Sequence, residues 1–359
     1  MKGWLRFMLF INVLNSLALI FAYLGTFIAP TKFVYFAFFG LSYPVWLLIA
    51  LGFIVFWFFF RKRMVWVSLL TISVGFNHLR HFYTFNWSQE ELDRPFKVLS
   101  YNVRIFNLYD RENRVENRNT IFDFLKSEEA DIYCFQEFYH QENREFETKD
   151  SLIELLNTPH YQERYTHELT NERYFGVATF SKYPIIGKGE IAFDNDPNNF
   201  CIYSDIVKGQ DTLRVFNAHI GSIRFQDDDY RFFDAEAPDD LYRNNEAGQR
   251  ILQRLKTGFE KRTSQAEKVA AQIQDSPYPV IVCGDLNDTP VSYCYRQFNR
   301  LLSDAFVDAG NGVGTTYIGK IPSNRIDYIF YQYALKVADF QTHDLDCSDH
   351  RPISVNIGF

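Results

Sequence analysis

From Phe33 to Phe60 the chain runs for 28 residues without one charged side chain, and Arg61-Lys62-Arg63 closes the run. This exceeds the roughly 20 apolar residues a helix needs to cross a bilayer. Pro44 is compatible with it, because such helices tolerate a kink. Phe7 to Ile28 is a second charge-free run. Lys2 and Arg6 ahead of it resemble the start of a cleaved signal peptide, but the run is long for one and another follows. Met64 to Phe76 is a third, shorter segment, expected to span with its polar flanks snorkelling or to lie in the interface. Residues 1–94 are therefore expected to hold two or three transmembrane helices and a linker, Glu90–Pro95. The positive-inside rule puts Lys2, Arg6 and Arg61–Arg63 on the cytoplasmic side. The reading adopted is three spans, a multi-pass protein with the remainder extracytoplasmic.

Charge divides at the same boundary. Residues 1–94 carry 8 Lys and Arg against 3 Asp and Glu, and residues 95–359 carry 29 against 41. A part with net charge −12 is poorly suited to gripping a nucleic-acid backbone, which usually needs a basic face. It does suit carboxylates gathered around a divalent cation. The five cysteines all lie in this part, odd in number and without a CxxC pair. They read as buried free thiols, not as a disulfide framework or zinc site.

Past Phe96, short runs rich in β-branched and aromatic residues predict strands at Phe96–Ile105, Asp131–Glu137, Tyr174–Phe180, Cys201–Val207, Leu213–His219, Val280–Cys283, Ile326–Tyr331 and Ile353–Ile357. Helical spacing appears over Asn119–Lys126 and Glu246–Asp275. Many strands and few helices imply an α+β domain, residues 95–359, built on packed sheets.

Polar residues recur where these strands end: Asn102, Glu137, Asn217 and His219, Asp285 and Asn287, Asp327, Asp349 and His350. Singly each is ordinary, since an Asp after a strand usually makes a cap or turn. As an ordered series they are hard to obtain by chance. The series Asn102, Glu137, Asn217-x-His219, Gly284-Asp285-x-Asn287, Asp327-Tyr328 and Ser348-Asp349-His350 resembles the endonuclease/exonuclease/phosphatase family over Phe96 to Phe359. That resemblance implies a four-layer α/β/β/α sandwich and a metal-dependent phosphoesterase.

It also implies roles. Glu137 would be the principal Mg²⁺ or Mn²⁺ ligand, helped by the amide oxygen of Asn102 and by Asp349 at the metal's edge. His350 would be general base or a cation against the phosphate, oriented by Asp327. Asp285 would position the attacking water, and Asn287 would donate to a phosphate oxygen. His219 would bond the phosphate and the leaving group, with Asn217 also on the substrate. A tyrosine stands at the His219 position in the abasic-site endonucleases, so the resemblance tilts away from them. Gly176 and Ser181 read as structural. Arg262 and Gln265 match a recurrent pair on the helix before Asp285, with a solvated face as the bland reading. Arg104 and Arg325 read equally as phosphate contacts or surface ion pairs.

Fold does not choose the substrate. The acidic domain and the lipid bilayer beside it favour a phospholipid or other small phosphodiester. A membrane-tethered nuclease is the second reading, and a non-catalytic binding module is the third. Tyr230–Phe233 (YRFF) reads as loop packing before it reads as a membrane or ligand contact.

Overall fold

The computed structural model describes every residue except 1, 88–89, 143–144, 170–171, 195, 223–240 and 320–323, and omits the side chains of 167–169 and 241–246. The apolar N-terminal runs form helices α1 (Gly3–Gly25), α2 (Tyr35–Leu41), α3 (Tyr43–Phe60), α4 (Val65–Val74) and α5 (Phe76–Phe82). Among the described residues α1 and α3 are long and apolar enough to cross a membrane. α1 and α3 are antiparallel: Trp4 meets Phe60 edge-on at 5.2 Å, and Tyr23 meets Tyr43 at 6.2 Å. α4 runs parallel to α1, with Ser68 Oγ donating to Asn12 Oδ1 at 2.8 Å and Thr26 beside His78 at 3.2 Å. Lys2, Arg6 and Arg61–Arg63 therefore share one end of the bundle.

The opposite end is docked on the rest of the chain. Arg296 lies 4.2 Å over the Phe27 ring, and Asn299 reaches His81 at 3.4 Å. Gly40 sits on the Val291 carbonyl so closely that a Cβ there would lie 2.3 Å from the oxygen. Strand β1 (Thr84–Phe85) pairs with β11 (Asn311–Gly312).

Two six-stranded sheets follow. One has the order β13 (Lys336–Thr342), β14 (Ile353–Gly358), β2 (Phe96–Asn102), β3 (Ile132–Gln141), β5 (Arg173–Ser181), β4 (His160–Leu169). The other has β10 (Ser303–Asp304), β12 (Asp327–Tyr331), β9 (Val280–Asp285), β8 (Asp211–His219), β7 (Phe200–Lys208), β6 (Ile185–Ala192). Helices α6 (Arg114–Glu128) and α7 (Thr148–Leu156) cover the first sheet. Helices α8 (Leu241–Gln274) and α9 (Tyr293–Asn299) cover the second, and α10 (Ala305–Ala309) packs at its edge. The four layers are those expected.

Period two explains the central strands. In β8, Leu213 and Val215 enter the core between the sheets, while Phe216 and Ala218 lie under α8. β9 does the same with Ile281 and Cys283 inward, Val280 and Val282 outward. Both faces are buried, so the strands read as continuous apolar runs. The strand expected over Phe96–Ile105 stops at Asn102. Arg104, Ile105, Phe106 and Asn107 then take φ of 42–54°, a conformation costly for a β-branched residue. β3 continues past its expected end to Gln141.

Candidate active site

The inward face of the sheets supplies the site where it runs beyond the apolar core. Along β2 the sequence Phe96, Val98, Ser100, Asn102 faces inward. Along β8 it is Leu213, Val215, Asn217, His219, and along β9 Ile281, Cys283, Asp285. The register sets Asp285 beside His219 on one flank and Asp327 on the other. Gly284 allows this, because its φ is 153° and a Cβ would lie 2.0 Å from the Ala218 carbonyl oxygen.

Glu137 arrives differently. After Phe135 on the outer face, strict alternation would bring Glu137 to that face too. A bulge between Phe135 and Phe138, with Glu137 at φ 49°, breaks the alternation. Phe138 returns to the outer core, and the Glu137 carboxylate turns towards Asn102 and His219. Such bulges re-aim side chains beside active sites.

The side chains converge. His350 Nδ1 donates to Asp327 Oδ2 at 2.9 Å, and its Nε2 is 3.8 Å from Asp285 Oδ2. His219 Nε2 lies 3.9 Å from the same oxygen and 3.8 Å from Glu137 Oε1. Asn102 Nδ2 donates to Asp285 Oδ2 at 3.0 Å and faces Glu137 Oε1 at 3.4 Å. Asp349 pairs with Arg104 at 3.5 Å. Asp285, Asp327 and His350 can each offer a ligand atom within 4.8 Å of the others.

Burial lifts Asp285 to about 7, helped by the Asp327 charge and opposed by His350 and hydrogen bonds from Asn287 and Asn102. Burial alone would lower His350, but the Asp327 and Asp285 carboxylates outweigh it and push the imidazole up to about 10. Burial, then the Asp349 charge, raises the Glu137 carboxyl. Burial thus pushes the Asp285 carboxyl, and the facing carboxylates push the His350 imidazole, upward from their ordinary ranges.

Three amides sit otherwise than expected. Asn217 does not face substrate. It ties the sheets together, its Nδ2 donating to Ala178 O at 2.9 Å and Phe135 O at 3.2 Å, its Oδ1 accepting from Gln136 Nε2 at 2.7 Å. Lying one pleat deeper than His219, it is enclosed by both sheets. The Asn102 amide oxygen accepts from Arg104 N at 3.0 Å, so its nitrogen, not the expected oxygen, faces the carboxylates. Asn287 braces Asp285: its backbone N–H donates to Oδ1 at 2.7 Å and its Nδ2 to Oδ2 at 3.1 Å. Its Nδ2 donates also to the Ile220 carbonyl at 3.0 Å, so both amide protons expected for a phosphate oxygen are taken up within the protein.

Arg262 and Gln265 neither touch the site nor form a solvated face. Arg262 binds Asp288 at 3.1 Å, and Gln265 accepts from Gly221 N at 2.7 Å, so the pair braces the turns after Asn287 and His219 from behind. Arg325 is buried, paired with Asp304 at 2.7 Å and donating to the His81 carbonyl at 2.6 Å. Gly176 lies against the Arg164 carbonyl and Ser181 is buried. Tyr230–Phe233 lies outside the described residues. Nothing in the sequence pattern marks Thr316, whose Oγ1 accepts from Asp327 N at 3.1 Å, or Tyr317, which lies edge-on to His350 at 5.3 Å.

A model described as the endonuclease/exonuclease/phosphatase family matches residues 99–350, and one described as a domain of unknown function matches residues 5–82. Comparison with curated proteins gives no match. Among solved structures the chain resembles an endonuclease/exonuclease/phosphatase from Beutenbergia cavernae, with 18% identity, TM-score 0.53, and 74% of this chain and 72% of that one covered. It resembles a family protein from Leptotrichia buccalis at 20% identity and TM-score 0.50, over 74% and 100% of the two chains. It also resembles the human Nocturnin catalytic domain with bound sulfate anion, at 17% identity and TM-score 0.50, over 76% and 97%. At these identities the likeness is one of fold.

Proposed function

The chain belongs to the endonuclease/exonuclease/phosphatase family, and from that premise we propose that it hydrolyses a small phosphodiester, a phospholipid or a headgroup-like diester, at a membrane surface. The observation that carries this is the line Asp327, His350, Asp285, His219, spaced 2.9, 3.8 and 3.9 Å and facing Glu137.

The donor set fits a hard divalent cation such as Mg²⁺ or Mn²⁺. Glu137 is raised first by burial and then by the Asp349 charge, with His350 and Arg104 opposing, and its carboxylate with that of Asp349 offers the hard oxygen donors such an ion takes. Glu137 and Asp349 would hold the ion, joined by the Asn102 oxygen if that amide turns over. Bound there, it would neutralise the ester and polarise its phosphorus.

The chain's own groups account for the proton traffic. Asp327 fixes the His350 tautomer and sustains its charge, which suits His350 to a phosphate oxygen as a cation. Asp285, near neutrality and braced by Asn287, takes the proton of the attacking water as the new P–O bond forms. His219, across from Asp285, serves the departing ester oxygen.

The membrane setting is supported by α1 and α3, each long and apolar enough to cross a bilayer; a third pass would need the ten-residue α4, parallel to α1, to be completed by α5, and Lys2, Arg6 and Arg61–Arg63 lie at one end of the bundle. With those charges cytoplasmic, residues 95–359 form an extracytoplasmic catalytic unit. Their net charge of −12 disfavours nucleic acid. The test is turnover of bis-p-nitrophenyl phosphate by the full chain with and without Mg²⁺, then of a phospholipid panel and plasmid DNA. Mg²⁺-dependent turnover lost in Glu137→Ala and His350→Ala is expected. Turnover that survives both substitutions, or appears with none of these substrates, overturns the enzyme reading.

A further inference from the structure

The turn from β9 to α9 carries Asn287, which braces Asp285. Connecting turns usually run over the surface. Here Leu286, Asp288, Thr289, Val291 and Ser292 are buried, and part of the cover is the helical bundle. The Val291 side chain packs with Leu19, Ala22, Tyr23, Tyr43 and Leu47, so it belongs to the core of the bundle and not to the cores of the sheets. Its carbonyl is the one on which Gly40 sits, with no room for a side chain between them.

The bundle reaches the same turn by a second route. Phe38 of α2 meets Phe259 of α8 edge-on at 5.3 Å. The Arg262 guanidinium lies 5.1 Å from that Phe259 ring and binds Asp288 at 3.1 Å. Tyr328 Oη stands 2.8 Å from the Asp288 carbonyl oxygen and 2.8 Å from that of Arg325. Arg325 in turn donates to the His81 carbonyl of α5 at 2.6 Å. Asn287 lies inside this frame, and Asp327 adjoins Tyr328 within it. These contacts between bundle and sheets therefore fall on the two segments that carry Asp285 and Asp327.

We infer that the bundle is part of the catalytic scaffold and that Val291 is a positioning residue, which fixes the turn bearing Asn287 and, through Asn287, the Asp285 carboxylate. This rests on the phosphodiesterase reading above and adds that the packing of the bundle governs the rate. A bundle that served only as a tether would not take a side chain from the site's own turn into its core. Displacing a catalytic group by about 1 Å costs on the order of 10²-fold in rate, so the seat of this turn bears directly on turnover.

The test uses the full chain in phosphatidylcholine nanodiscs, with bis-p-nitrophenyl phosphate and Mg²⁺. Gly40→Ala changes no residue of the catalytic unit, and alanine is the better helix former, so its effect reports the seat of Val291. It should lower kcat by about 10- to 100-fold with KM little changed. Hydrogen exchange over residues 285–292 should quicken. Val291→Ala should do both from the other side of the contact, and the double variant should lose little more than either alone. Gly52→Ala, where an added Cβ meets nothing within 4 Å, should match the parent. Parental kcat in both Gly40→Ala and Val291→Ala, unchanged exchange over the turn in both, or an equal loss in Gly52→Ala overturns the inference. If the parent itself turns nothing over, the phosphodiesterase reading fails, and the exchange rates then judge the positioning alone.

Discussion

Asp327 and His350, 23 residues apart in sequence, meet at 2.9 Å between carboxylate Oδ2 and imidazole Nδ1, both buried. Replacing the carboxylate while keeping its shape separates orientation from charge. Asp327→Asn is expected to lower kcat on bis-p-nitrophenyl phosphate by about 10²- to 10⁴-fold with little change in KM. Steady-state kinetics decide it, and an unchanged kcat removes Asp327 from the mechanism.

Glu137 and Asp349 repel one another unless a cation lies between them. Without divalent ions, Glu137→Gln should therefore unfold at a higher temperature than the parent. The parent should gain about 2.7 kcal/mol at a Mg²⁺ concentration 100 times its Kd, and the variant should gain little. Thermal unfolding with EDTA and with Mg²⁺ reads both effects. Equal gains in the two proteins place the ion elsewhere.

His140 offers a pH signature away from the site. Burial, with Lys149 nearby, lowers it below the ordinary histidine range, and its Nδ1 accepts from Lys149 N at 3.3 Å. The folded state thus favours the neutral ring. Its contribution is whole above about pH 6.5 and is lost as pH falls from there towards the depressed folded value. His140→Gln, which keeps an acceptor for Lys149, should flatten the fall in unfolding temperature over that interval. A slope equal to the parent's is the contrary result.

Arg325 links the helical bundle to the strand that carries Asp327. Arg325→Met leaves Asp304 charged and buried, so a loss of about 3–5 kcal/mol in stability is expected. Adding Asp304→Leu should recover much of it. Chemical denaturation of the full chain measures both, and a single variant as stable as the parent contradicts the account.

The strands that hold the site were legible because each is buried on both faces and ends on a polar residue: β8 at His219, β9 at Asp285. The edge strands β4 and β6 were missed. Each has a neighbour on one side only, and a sequence such as Ile185–Ala192 mixes glycine, lysine and glutamate in place of an apolar run. Glu137 was found as a residue and misjudged as a position, since nothing in Asp-Ile-Tyr-Cys-Phe-Gln-Glu announces a bulge. Asn217 was misjudged for the opposite reason. Two residues before His219 it shares the right face, and depth along the strand, which sequence does not encode, turns it from the cleft into the core.

The seat of Gly40 on the Val291 carbonyl bears on reach. Val291 lies four residues beyond Asn287, so the bundle grips the turn that leaves the site. An enzyme joined to its anchor by slack chain sweeps a hemisphere. On the membrane reading proposed above, one clamped in this way would hold its mouth at a single height and tilt, facing what diffuses laterally past it. Such a protein should work on a surface film far better than on the same molecules dispersed in bulk.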